Sequence, residues 1–147
     1  MKRALLYGTG LVLALAFAGW VQGSGTAQVK VLAKTTRSWN GNELPNYPKG
    51  QPQITILRIT VAPRSQLPMH EHPVINAGVL LKGRLTVVTD DNEILHLKAG
   101  DAIVELVGKP HYGKNETDEP AEIIVFYAGI RDGPITVEKK VNGVRPR

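Results

Sequence analysis

From Gln28 onward the sequence predicts an all-β domain, a small barrel or sandwich of eight or nine short strands. Three observations lead there. No stretch carries helical periodicity over a useful length; short runs rich in Val, Ile and Thr alternate with turn signals instead. The 15 Gly and 10 Pro suit many tight connections. The 147 residues suffice for one domain with a real core and are too few for two ordinary ones. With 42% hydrophobic and 21% charged residues the chain is globular rather than disordered. Aromatics are only 5%, which argues against a base-stacking surface, and no nucleic-acid motif is present.

The elements follow in chain order. Residues 1–27 read as a secretory signal peptide. Met1-Lys2-Arg3 is a basic start, residues 4–21 are apolar, and Gly25 and Ala27 occupy the −3 and −1 positions of a cleavage site. The competing reading is an uncleaved membrane anchor, since the apolar run is nearly long enough to span a bilayer. Gly8, Thr9 and Gly10 interrupt that run, and the small-residue exit favours cleavage. The expectation is an exported protein, periplasmic or secreted, with no stable membrane insertion after cleavage. There is no cysteine, so lipid modification of an N-terminal cysteine and disulfides are both excluded. The mature domain must hold together by core burial, helped by a metal or a second subunit.

Residues 28–52 read as an N-terminal strand and loop: a strand at 29–32, then a long Asn-, Gly- and Pro-rich loop at 39–52. Residues 53–61 are the clearest strand. A turn at 62–65 follows, and 67–72 is extended because Pro68 and Pro73 exclude a helix interior. Residues 76–81 are an apolar strand turned by Lys82-Gly83, and 84–89 is its successor. Asp90-Asp91-Asn92 makes a tight hairpin turn. Residues 93–97 alternate and end at 98–101; residues 102–107 form a further strand closed by Gly108-Lys109-Pro110. Residues 121–128 are a buried strand, and Asp132-Gly133-Pro134 turns into a last short one. The barrel thus spans 53–138, and 139–147 is a basic flexible tail. The net charge of +5 falls by two, to +3, without Lys2 and Arg3, and much of the rest sits in that tail. A solvated tail is the plain reading; contact with an acidic surface is the other.

Two of the four histidines form His70-Glu71-His72. Side chains at i and i+2 of a strand share a face, about 7 Å apart along it, so both imidazoles project together and can reach one ion. His111 lies 39 residues after His72, at the end of another strand, and a small barrel can fold it over the first pair. The bland alternative is a chance pair on the solvent face. His96 is that bland case, a polar position between Leu95 and Leu97, and stays outside the site.

Around these histidines the chain resembles the cupin superfamily. The first motif of that family is His-x-His, three or four residues, an acidic ligand, six residues, then Gly. Here it reads His70-Glu71-His72, Pro73-Val74-Ile75, Asn76, six residues, Gly83. The second motif is matched from Gly100 through Gly108 and His111 to Asn115. The resemblance covers roughly residues 53–127. It implies a small single-domain cupin of the type-2 barrel, a double-stranded β-helix or jelly roll, with one divalent transition metal held by His70, His72 and His111 near one mouth. Homodimerisation through an edge strand is a further implication.

Two departures stand out. Leu106 replaces a common Pro, which changes a turn. Asn76 stands where the family usually has a ligating Glu. Three neutral imidazoles and an amide leave a divalent site at +2 rather than +1, more Lewis acidic and suited to an anionic ligand. Asn76 is either a weak fourth ligand or a residue that caps a backbone turn. It cannot move protons, so a general base must lie elsewhere; Glu105 is the candidate. Glu71 alternates with the histidines and should point away. The metal can be zinc, copper, iron, manganese or nickel.

A structural metal is normally closed by four protein ligands, so open positions favour a metal-dependent enzyme acting on a small molecule. The resemblance extends to quercetinase-type dioxygenases, making an oxidoreductase of dioxygenase-like chemistry the first reading, with a lyase or isomerase beside it. An apolar pocket near Met69, Val79 and Ile103 would take the substrate. The alternative is a non-catalytic periplasmic module that binds or sequesters a metal or small molecule. A barrel that has lost its metal is the third reading.

Overall fold

In the computed structural model, which describes residues 27–139, alternating apolar and polar side chains build two sheets whose inner faces share one core. The signal segment expected at 1–27 falls outside the described residues except for Ala27, and so does the tail beyond Lys139. Among the described residues there is no helix.

The first sheet has four strands in the order β1-β9-β4-β7: β1 (Pro52–Val61), β4 (Ile75–Lys82), β7 (Ala102–Val104) and β9 (Ala121–Ile130). The second has six. Five run in the order β10-β3-β8-β5-β6, and β2 pairs with β8 off that path. They are β2 (Ser65–Gln66), β3 (His70–Glu71), β5 (Arg84–Thr89), β6 (Ile94–Lys98), β8 (His111–Asn115) and β10 (Val137–Glu138). Every named pair is antiparallel. Strands separated by long stretches of chain pair across each sheet, as in a jelly roll.

The period of two decides what lies inside. In β9, Ala121, Ile123, Val125 and Tyr127 are buried, and in β8, His111, Gly113 and Asn115 are buried. Leu80 and Val61 from one sheet meet Leu85, Val87 and Leu97 from the other. Gly83 shows how tightly the chain turns after β4. Its φ is +77°, and an added Cβ would stand 2.7 Å from the Pro120 carbonyl oxygen, so only glycine fits.

Four expectations are corrected. No strand forms over residues 29–32; Val29 and Val31 are exposed, and the first strand begins at Pro52. Alternation alone does not make a strand without a partner edge. The turn expected at 62–65 is shorter, because Ser65 already opens β2, which takes its partners from β8. The strand beginning at Ala102 stops at Val104. His111 opens a strand rather than ending one.

Candidate metal centre

His70 and His111 are direct cross-strand partners, β3 against β8. His72 lies just past β3, fixed by a parallel bridge to Val107 and by the Gly108 amide, which donates to the His72 carbonyl at 2.8 Å. Gly108 adopts φ +68°, the turn that brings this amide round. The three rings form a nearly equilateral triangle with centroids 5.0, 4.8 and 5.1 Å apart. One ligand nitrogen from each lies within 4.8 Å of the others, so the three histidines could hold a metal ion. His72 and His111 are buried and His70 is half-buried.

The other nitrogen of each ring faces a main-chain carbonyl. His70 Nδ1 is 2.7 Å from Pro68 O, His72 Nδ1 is 2.8 Å from Ile135 O, and His111 Nδ1 is 2.9 Å from Lys109 O. A carbonyl only accepts, so each Nδ1 carries its hydrogen and donates; the tautomer follows from the partner. A neutral ring then turns an Nε2 lone pair inward. Three such lone pairs repel one another unless a cation or a proton sits among them, and the donor set therefore fits a divalent transition ion.

Glu105 stands at the same point. Its Oε2 lies 3.1 Å from His111 Nε2 and 3.3 Å from His72 Nε2. Burial pushes its carboxyl up, but hydrogen bonds and charge from His111 and His72 outweigh that and hold it at about 2. Burial lowers the His111 pKa, yet the Glu105 carboxylate raises it overall. Burial lowers that of His70. Tyr127 stacks edge-on against His72 with centroids 5.3 Å apart. Burial, and then the Glu105 charge, push its hydroxyl up to about 12.

Asn76 is fully buried on β4, but it does not line the cavity that the histidines face. Its Nδ2 donates to Val74 O over a long 3.4 Å, and its Oδ1 has no hydrogen-bond partner. Glu71 turns to Lys139 at 2.8 Å. His96 lies on β6, its Nδ1 3.1 Å from Thr86 Oγ1, in a separate polar recess.

The cavity measures about 230 Å³ and is walled mostly by apolar side chains, Leu57, Ile59, Leu67, Val87 and Val125 among them. Met69, Val79 and Ile103, expected as its lining, are not part of it. Val79 lies one residue out of phase with buried Leu80 on β4, so it faces outward with Phe126, and Ile103 packs into the core. Sequence reasoning missed Ile135 and Thr136, which hold His72. No side-chain signal marks a main-chain carbonyl as a partner. It also missed Tyr127, which read only as part of a buried strand.

The cupin domain family model matches residues 57–127. Germin-like protein subfamily 1 member 14 from Arabidopsis thaliana is 29% identical over 131 residues, 84% of this chain and 58% of that protein. Subfamily 1 member 7 is 31% identical over 101 residues, 63% and 44%. The chain spans about half the length of these curated relatives. Among solved structures, the DMSP lyase DddQ from Ruegeria pomeroyi DSS-3 shares the fold at TM-score 0.54 and 18% identity, over 71% of this chain and 49% of that one. With both motifs on facing strands and their histidines gathered at one point, residues 57–127 form a cupin domain.

Proposed function

We propose that this chain holds one divalent transition metal through His70, His72 and His111 and presents it to a small organic molecule as a dioxygenase-like enzyme. The observation that carries this reading is the pinning of all three Nδ1 atoms by carbonyls, which leaves three Nε2 atoms converging at an apolar cavity. A metal bound there supplies Lewis acidity to an oxygen atom of the bound molecule. The chain does the rest. Leu57, Ile59, Val87 and Val125 seat an apolar body and exclude water. The Tyr127 hydroxyl stays protonated and is available as a donor. A volume of about 230 Å³ is below the usual ligand-pocket range of about 300–1,000 Å³, which points to a small phenol or acid rather than a large cofactor.

One observation favours a second reading, a binding or sequestering module without turnover. The buried carboxylate of the cavity, Glu105, is tied to two histidines rather than free to take a proton from a ligand. The two readings separate in one experiment. The purified protein is assayed for metal by mass spectrometry and for oxygen uptake with a panel of phenols and small acids. Uptake that His72→Ala abolishes supports the enzyme; tight metal without turnover supports the binder. A wild-type protein that retains no transition metal overturns both.

The same reading places the mature domain outside the cytoplasm, on the strength of the basic, apolar and small-residue order of residues 1–27. N-terminal sequencing of the exported protein should start at Gln28. A product that retains residues 1–27 refutes cleavage.

A further inference from the structure

We propose that Glu105 is itself a metal ligand and supplies, from β7's end, the carboxylate that position 76 lacks. The inference rests on the proposed metal site and adds a fourth donor to it. β4 and β7 are paired neighbours, with Ala77 opposite Val104. One step along that ladder the Glu105 amide donates to the Asn76 carbonyl at 3.1 Å, so the two residues are cross-strand neighbours. A side chain moved between such positions shifts its Cβ by only about 5 Å, within reach of a longer side chain. Asn76 is short and lies away from the cavity; Glu105 lines it.

Three features support a ligand. Two donor atoms each about 2.1 Å from one ion, at tetrahedral or octahedral angles, are about 3.0–3.4 Å apart. The Glu105 Oε2 distances to His111 and His72, 3.1 and 3.3 Å, fall in that interval. The carboxylate is nearly buried, and among the described residues no Lys or Arg pairs with it. Buried carboxylates are held by a cation or by several donors, and here the partners are the histidines of the site. Finally, the backbone of Glu105 is fastened on both sides. Its amide is held by Asn76, and its carbonyl accepts from the buried Ser38 hydroxyl at 2.8 Å. The side chain is thus delivered by fixed main chain, as a ligand must be.

With this donor set a divalent ion leaves the site at +1. The preference for anionic ligands expected from Asn76 alone is weakened accordingly.

The test uses the full chain with Co²⁺ as probe, measuring affinity by chelator competition and the ligand field by visible absorption. Loss of an outer partner of a metal ligand costs about 10–100-fold in affinity, so Glu105→Gln should weaken Co²⁺ by about 100-fold or more and shift its absorption bands. Asn76→Ala should change affinity by less than about tenfold and leave the bands in place. Affinity and bands unchanged in Glu105→Gln, or equal losses in both variants, overturn the proposal. A crystal of the wild-type protein soaked in Co²⁺ decides the matter if the variant fails to fold. Glu105 Oε2 at about 2.0–2.2 Å from the ion supports the ligand, and an ion held by the histidines with Oε2 beyond about 3 Å overturns it. A wild type that takes up no Co²⁺ overturns this inference together with the metal reading, whereas an ion bound without Glu105 overturns this inference alone.

Discussion

Lowering the pH from about 8 to about 6 before metal is added should weaken binding by up to about 100-fold, because a proton must leave the site first. The three Nδ1 hydrogens are committed to Pro68, Ile135 and Lys109 carbonyls. A hydrogen bond between His111 Nε2 and the Glu105 carboxylate therefore needs a second hydrogen on that ring, and so favours the imidazolium form of metal-free His111. The direction of its pKa agrees. Burial lowers it, but the Glu105 hydrogen bond and charge raise it above the ordinary value near 6.5. Burial shifts His70 the other way and favours its neutral ring.

The sign follows. Below the raised His111 pKa the metal must displace one proton, and apparent affinity climbs tenfold, about 1.4 kcal/mol, for each pH unit. Above it the proton is already gone and the curve flattens. The assay is competition against a chromophoric chelator across that range, with calorimetry in two buffers of different ionisation enthalpy to count released protons. Affinity independent of pH, or binding that releases no proton, would refute the Glu105–His111 assignment.

A second prediction concerns the loop that closes β8. Asn115 is buried, its Nδ2 donating to Val61 O at 3.1 Å and Glu119 O at 2.7 Å, and its Oδ1 accepting from the Thr117 amide at 3.0 Å and hydroxyl at 2.8 Å. Asn115→Ala leaves several of these groups without partners and should cost about 2–4 kcal/mol in urea unfolding, while a loss under about 1 kcal/mol contradicts that role.

Strands rich in branched residues were legible from sequence, because pattern and propensity agree there. β1, β5 and β9 lie within two residues of their expected ends. β8 was not legible. His-Tyr-Gly-Lys-Asn carries no branched residue, and the strand exists because β5, β3 and β2 surround it. The stretch 29–32 failed the opposite way, with a strand-like pattern and no edge to pair with. At the site, the histidines were legible as a spacing. The place of Glu105 beside two of them was not, since it depends on β7 ending at Val104. The misplaced cavity lining came from a phase error, since one residue along β4 separates Val79 on the outside from Leu80 in the core.

The pairing of His70 with His111 ties two scales of the molecule together. A slip of β3 against β8 by a single residue would swing the His70 ring to the outer surface, away from His111 and from the carbonyl that aims it. Uptake of an ion by a refolding chain is then a clock for the closing of that seam. A probe ion added at intervals during renaturation times the moment at which the two ends of the barrel's histidine set come into alignment, something no spectroscopic average over the sheets can resolve.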